Sequence, residues 1–190
     1  VNTSTFQIDN NGWLLSADHQ PSPNYNERPT STEIDLLVIH NISLPPGEFG
    51  GGEIQSLFCN TLDCQAHPAL ADLEGVTVSA HLLIDRSGNV TQFVSLLKRA
   101  WHAGRSAFDG RVECNDFSIG IELEGTDTTP FTEKQYIVLA ALTQAIQGRF
   151  SGITAERIVG HSDIAPGRKT DPGEAFDWPR YRRLLAKLEQ

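Results

Sequence analysis

No stretch of this chain stays apolar over the roughly 20 residues that a membrane-spanning helix needs. Its opening, Val1-Asn2-Thr3-Ser4-Thr5-Phe6, has neither the basic nor the apolar region of a signal peptide. Neither a span nor an export signal is expected, although Val1 is not methionine and a processed start stays open. Positive charge is scarce: 15 Lys and Arg stand against 24 Asp and Glu, a formal net charge of −9. That deficit argues against a generic nucleic-acid or anionic-membrane binder, because basic charge supplies most of such affinity. Cysteine is scarce too. Cys59, Cys64 and Cys114 lack CxxC spacing, which argues against a disulfide framework and fits reduced thiols, so the cytoplasm is the expected compartment. Internal repeats and low-complexity tracts are missing, and with them the reason to expect a repeat architecture.

What remains is an ordinary globular composition, 39% hydrophobic and 21% charged over 190 residues. A chain of this size buries roughly 70% of the surface its unfolded form exposes, enough for one independent core. Residues 1–33 are polar and turn-rich, with His19-Gln20-Pro21-Ser22-Pro23-Asn24 and Arg28-Pro29 limiting regular structure. They read as an arm on a domain spanning 34–190, with Trp13-Leu14-Leu15 as its anchor or a short edge strand. Leu36-Leu37-Val38-Ile39-His40 is a continuously apolar run ending in histidine, typical of a strand buried on both faces. After the Pro- and Gly-rich loop at 44–52, a short helix is expected over about 53–59. Residues 81–85 and 90–94 flank Arg86-Ser87-Gly88-Asn89 and predict a β-hairpin. In residues 117–123, Phe117, Ile119, Ile121 and Leu123 alternate with Ser118, Gly120 and Glu122. Thr132 and Gln135 have the spacing of a capping box before an amphipathic helix, and a last helix is expected from Asp177 or Trp178, helped by Pro179. Strands interleaved with helices predict an α/β (α+β) single domain, a central mixed β-sheet flanked by helices.

Three residues suggest metal chemistry. His40 and His161 each follow a strand-like apolar run and precede a loop, and Asp171 lies in the same Pro/Gly-stiffened segment as His161. Two imidazoles and a carboxylate are the ligand set of a catalytic zinc site whose fourth position is open to water. The spacing alone does not decide. Each histidine also reads as a structural one, and Asp171 before Pro172-Gly173 reads as a turn cap. Glu122 is a carboxylate inside an apolar strand, costly to bury unless paired; it is either a general base facing a pocket or a residue on a wet sheet face. Lys169 is either a surface cation or a stabiliser of an oxyanion. Trp101 and His102, set among small residues in Ala100-Trp101-His102-Ala103-Gly104, are either pocket-lining or core.

Several segments occur together in one order: Val38-Ile39-His40-Asn41, Ser79-Ala80-His81, Ala100-Trp101-His102-Ala103-Gly104, Asn115-Asp116-Phe117-Ser118-Ile119-Gly120-Ile121-Glu122-Leu123-Glu124-Gly125 and Gly160-His161 through Lys169-Thr170-Asp171-Pro172-Gly173. In these, over roughly residues 25 to 185, the chain resembles the zinc-dependent N-acetylmuramoyl-L-alanine amidases, which share a fold with bacteriophage T7-type lysozyme-amidases and peptidoglycan recognition proteins. Asn41 through Gly47, Cys114 through Ser118 and Phe176-Asp177-Trp178 resemble the branch that cleaves 1,6-anhydromuropeptides in cytoplasmic peptidoglycan recycling. The resemblance implies one zinc per chain held by His40, His161 and Asp171, with Glu122 as acid/base and Lys169 assisting the oxyanion. Many relatives carry cysteine where Asp171 stands. It further implies substrate contacts from Asn41, Trp101, His102 and Arg111. The chain departs from the family pattern in carrying Glu113 where a basic residue stands; if that cation contacts the stem-peptide carboxylate, either Arg111 or Arg105 substitutes for it or substrate affinity differs. A small muropeptide is the implied partner, with no nucleic acid, membrane or obligate protein partner. Loss of such an enzyme would induce a β-lactamase in a cell carrying that circuit. Two alternatives stay open at this point: a broader amidase acting on intact peptidoglycan, and a non-catalytic muropeptide-binding module. A structural zinc with His81 or His102 as a fourth ligand is a further one.

Overall fold

Ten strands and four α-helices form among the residues described by the computed structural model, 6–188. The first five residues of the expected arm and the last two of the chain lie outside that range. The strands are β1 (Asp18–His19), β2 (Tyr25–Asn26), β3 (Leu36–Ile42), β4 (Leu82–Ile84), β5 (Val90–Gln92), β6 (Arg99–Ala100), β7 (Ala107–Phe108), β8 (Arg111–Val112), β9 (Ser118–Glu124) and β10 (Ile158–Gly160). The helices are α1 (Glu53–Phe58), α2 (Glu133–Arg149), α3 (His161–Ile164) and α4 (Trp178–Leu188). Six strands make the main sheet in the order β1-β5-β4-β9-β3-β10, while β2 pairs with β6 and β7 with β8. The sheet is mixed. β10, β3, β9 and β4 run parallel, β4 and β5 form an antiparallel hairpin, and β1 runs parallel to β5 at the edge. The expected mixed sheet with flanking helices is therefore what forms.

Side-chain alternation divides the core between the two faces of this sheet. Leu37 and Ile39 of β3, with Ile119, Ile121 and Leu123 of β9, pack in one cluster with Leu139, Leu142 and Ile146 of α2 and Tyr181 and Leu185 of α4. Leu36 and Val38 point the other way, against Ala103, Cys114, Phe117 and Ile164. The next residue on that second face of β3 is His40. α2 begins with the expected capping box: the Gln135 N–H donates to the Thr132 hydroxyl, and the Thr132 N–H donates to the Gln135 side chain. The Gln135 amide also donates to the carbonyls of Glu124 and Ile84, fastening the helix to the ends of β9 and β4.

The N-terminal segment is tied in at several points. Leu14 is fully buried and its N–H donates to Gln92, whereas Leu15 is 65% exposed. Arg28 spreads its guanidinium over four backbone carbonyls, those of Leu96, Asn115, Asp116 and Ser118. Through it the segment braces the turn that leads into β9. Among the described residues, no helix is long and apolar enough to cross a membrane.

Candidate active site and metal centre

Three adjacent strands, β9, β3 and the edge strand β10, deliver three functional groups to one end of the sheet. In the parallel register of β3 and β9, His40 lies opposite Glu122, and His161 directly follows Gly160, which lies opposite Ile39. Neighbouring strands are about 4.8 Å apart, so Glu122, His40 and His161 stand side by side at the carboxyl ends of β9, β3 and β10. That end of an open α/β sheet is where ligands usually bind. The segment after β10 is more regular than its composition suggests. His161 opens the helical turn α3, and Asp163 accepts a hydrogen bond from the Gly160 N–H at 2.7 Å.

The chain then doubles back. Asp171 returns to His161, its carbonyl accepting from the Ser162 N–H at 3.0 Å. Asp127, just after β9, holds this loop: it accepts from Thr170 and from Asn41, and its carbonyl accepts from the Ala175 N–H. Gly173 (φ +79°) passes so close that a Cβ there would lie 2.2 Å from the Asp127 Cα.

The result is a convergence of ligand atoms. His40 Nδ1, His161 Nδ1 and Asp171 Oδ2 lie 3.0–3.1 Å from one another. His161 Nε2 lies 3.1 Å from the Ala103 carbonyl, which can only accept. The proton of a neutral ring must therefore be on Nε2, leaving the Nδ1 lone pair aimed at the cluster. Ligand atoms around a four-coordinate metal with bonds of about 2.0–2.1 Å sit about 3.3 Å apart. Two imidazole lone pairs and a carboxylate oxygen at nearly that spacing fit such an ion, and these three residues can hold a metal.

Electrostatics agree with that arrangement. Burial, together with the neighbouring His161, lowers His40 to about 4 despite its contact with Asp171, so the ring is neutral and able to ligate at pH 7. Burial would raise the Asp171 carboxyl, but the adjoining His161 and His40 rings outweigh it and hold the group well below the usual carboxylate range. Glu122 goes the opposite way. It is 8% exposed, and burial, then the like charge of Asp171, push its carboxyl well above the usual value, with Lys169 opposing. Its Oε2 is buried without a hydrogen-bond partner. An orphaned carboxylate oxygen next to a ligand cluster is expensive to keep. The wet-face alternative for Glu122 does not hold, since every residue of β9 is buried.

A cleft of about 370 Å³ opens beside His161, lined also by Thr77, Trp101, His102, Arg168 and Lys169. Lys169 is exposed and lines this cleft. Trp101 lies on the rim, its indole N–H donating to Asn26 at 2.8 Å. Three other expected contacts fall differently. His102 has both ring nitrogens engaged, with His40 Nε2 and the Ser118 hydroxyl, leaving neither for a substrate. The Asn41 amide is committed to Asp127 at 2.8 Å. Arg111 is turned to the opposite end of β3, paired with Asp35 at 2.7 Å and stacked 3.7 Å over the Phe117 ring. It cannot replace a cation at this cleft, because the β7–β8 hairpin aims its side chain away. Glu113 pairs with Arg99.

His81 is not a fourth ligand. Its Nδ1 accepts from the Gly120 N–H at 3.0 Å, and its Nε2 lies 3.0 Å from the Lys98 carbonyl. Burial, then the charge of Arg28, lowers it to about 3. The folded protein therefore resists a proton that the unfolded chain accepts near pH 6.5. This contribution to stability is complete above pH 6.5 and is lost as the pH falls toward 3. Urea unfolding of the metal-free protein should show a stability slope attributable to His81 of up to about 1.4 kcal/mol per pH unit in that window. His81→Asn should reduce the slope by that amount, and an unchanged slope would refute the assignment.

Sequence reading missed Asp127 and Arg168. Asp127 left one faint signal, a polar turn directly after the strand carrying Glu122. Arg168 donates to the carbonyls of Ala103 (2.6 Å) and Arg105 (2.7 Å) and so shares an acceptor with His161, which only the three-dimensional path of the chain reveals.

Residues 30–174 match the N-acetylmuramoyl-L-alanine amidase family. The 1,6-anhydro-N-acetylmuramyl-L-alanine amidase AmpD of Enterobacter cloacae is 58% identical over 175 residues, 92% of this chain and 93% of the relative. A crystal structure of an AmpD selenomethionine derivative superposes with a TM-score of 0.91 at 55% identity, covering 94% of this chain and 98% of the other. The N-acetylmuramyl-L-alanine amidase AmiD from E. coli, in complex with anhydro-N-acetylmuramic acid-L-Ala-D-γ-Glu-L-Lys, superposes with a TM-score of 0.59 at 28% identity, covering 93% of this chain and 65% of AmiD.

Proposed function

The chain belongs to the N-acetylmuramoyl-L-alanine amidase family, and from that premise we propose that it is a zinc-dependent amidase of 1,6-anhydromuropeptides. It would cut the bond between the lactyl group of 1,6-anhydro-N-acetylmuramic acid and the L-alanine of the stem peptide. The observation that carries the mechanism is the convergence of two imidazole lone pairs and a carboxylate oxygen beside an unpartnered, buried Glu122.

In this reading His40, His161 and Asp171 hold one zinc ion. When bound, zinc supplies Lewis acidity, lowering the pKa of a coordinated water to roughly 7 and polarising the scissile carbonyl. Glu122 takes a proton from the attacking water as its oxygen bonds to the amide carbon. Lys169 places positive charge beside the oxyanion that develops on the former carbonyl oxygen. Glu122 then gives its proton to the departing alanine nitrogen as the C–N bond breaks, leaving a lactyl carboxyl group and a peptide with a free amine. Trp101, at the cleft rim, is the contact proposed for the substrate. Residues 34–190 form the amidase domain in this proposal, with the preceding arm bracing it through Arg28.

Supporting the soluble recycling substrate rather than intact wall are the 58% identity to an AmpD enzyme over nearly the whole of both chains and three free cysteines, as expected of a reducing cytoplasm. The test is product identification by mass spectrometry with anhydromuramyl-tripeptide and with intact sacculi, each with and without a chelator. Free tripeptide should form from the small substrate, much more slowly from sacculi, and not at all under chelation. Equal rates on both substrates would overturn the recycling assignment, and chelator-insensitive turnover would overturn the zinc mechanism.

A further inference from the structure

His40 presents opposite edges of its imidazole to two different neighbours. Nδ1 faces His161 and Asp171, while Nε2 lies 2.9 Å from Nδ1 of His102. His102 continues inward, its Nε2 3.0 Å from the Ser118 hydroxyl. The two rings meet edge to face, with centroids 5.0 Å apart. His102 is held from behind by Asn115, whose side-chain oxygen accepts from the N–H groups of His102 and Ala103 at 3.1 and 2.8 Å. It is accommodated from below by Gly120. A Cβ on that residue would lie 2.5 Å from both Cγ and Nδ1 of the His102 ring, so β9 leaves a side-chain gap where the imidazole sits.

The geometry points to His102 as the positioning residue that orients His40 for metal binding, by accepting the Nε2 proton and so leaving the Nδ1 lone pair free. This rests on His40 being a ligand, as proposed above. A ligating imidazole must carry its proton on the far nitrogen, and that proton needs an acceptor that also fixes the ring plane. For His161 the acceptor is the Ala103 carbonyl. For His40, whose Nε2 lies 2.9 Å from His102 Nδ1, it is a second imidazole. His102 then necessarily carries its own proton on Nε2, donated to Ser118, and its Nδ1 accepts. Proton positions along His40, His102 and Ser118 thus become a single coupled arrangement fixed at one end by the metal. A neutral acceptor also withdraws less positive charge from the site than a carboxylate would.

The test separates the acceptor from mere packing. Asn and Leu have similar volume, but Asn places Oδ1 close to where His has Nδ1. Zinc affinity, measured by competition with a chromophoric chelator, should fall by about 10- to 100-fold in His102→Leu. In His102→Asn it should return to within about threefold of wild type. The unfolding temperature of each metal-free variant identifies folded material. If Leu and Asn bind zinc as tightly as each other, the acceptor role is overturned. A wild-type protein that fails to bind zinc at all overturns the metal site itself and this inference with it, whereas tight binding by wild type and by the Leu variant overturns only the inference. Should the Leu variant not fold, long-range ¹H–¹⁵N correlation spectra of zinc-loaded wild type decide: His102 must be the Nε2–H tautomer, and the Nδ1–H tautomer refutes the assignment.

Discussion

Glu122→Gln should lower kcat by about 10²- to 10⁴-fold, the usual contribution of a positioned general base, while zinc content stays at one equivalent. Glutamine matches the shape of the carboxyl group but cannot accept the proton of the attacking water. Glu122 makes none of the contacts that bring the ligand atoms together, which run between His40, His161 and Asp171. Two pH effects accompany the loss. Burial and Asp171 raise this group in the metal-free protein; in the zinc-loaded wild type the base must be ionised, so kcat/KM should fall on the acid side. The variant's residual rate should lack that limb. Stability should move the other way. A carboxyl raised in the folded state costs nothing below its unfolded pKa and destabilises as the pH rises past it. Metal-free Glu122→Gln should therefore match wild type near pH 4 and melt at a higher temperature at pH 7. Wild-type turnover in this variant would remove Glu122 from the mechanism.

Asp171→Ala is expected to abolish stoichiometric zinc binding, with an affinity loss exceeding the 10- to 100-fold typical of an outer-shell change. The backbone of the ligand loop does not depend on this side chain. Ser162 donates to the Asp171 carbonyl, and Ala175 to the Asp127 carbonyl, so the loop keeps its path and the deficit reads as a lost ligand. Asp171→Cys supplies a thiolate, a good zinc donor, and should retain the metal where alanine does not. Isothermal titration with zinc distinguishes the three proteins, and a full equivalent bound by the alanine variant at wild-type affinity would remove Asp171 from the ligand set.

Local sequence pattern carried much of this molecule. The hairpin at β4–β5, the capping box of α2 and the alternation of β9 are written in residues within a few positions of one another, so their geometry is decided locally. Glu122 was legible for the same reason, as a carboxylate inside a strand with one wholly apolar face. Asp171 was not, because a turn cap and a metal ligand look alike until the loop is folded back by Asp127 and Ser162. The direction of His102 was hidden more deeply. Its neighbours announce a small-residue environment, but the space that turns it inward belongs to Gly120 on another strand. Arg111 shows the converse error: closeness in sequence to the Cys114–Phe117 segment suggested the cleft, while a two-residue pairing in β7–β8 carried the side chain to Asp35.

The unequal mounting of the three ligand residues has a kinetic meaning. His40 lies within β3, a strand bonded on both sides, and His161 follows directly from the edge strand beside it. His40 is thereby fixed as firmly as the sheet interior, whose opening requires something near global unfolding. Asp171 is suspended from a loop by a few hydrogen bonds, to Ser162 and through Thr170 and Ala175 to Asp127. Detachment of that loop is a far smaller excursion. In the proposed metal site the imidazoles would form a standing berth and the aspartate its latch, so that release of a bound ion would follow detachment of one loop rather than unfolding of the protein.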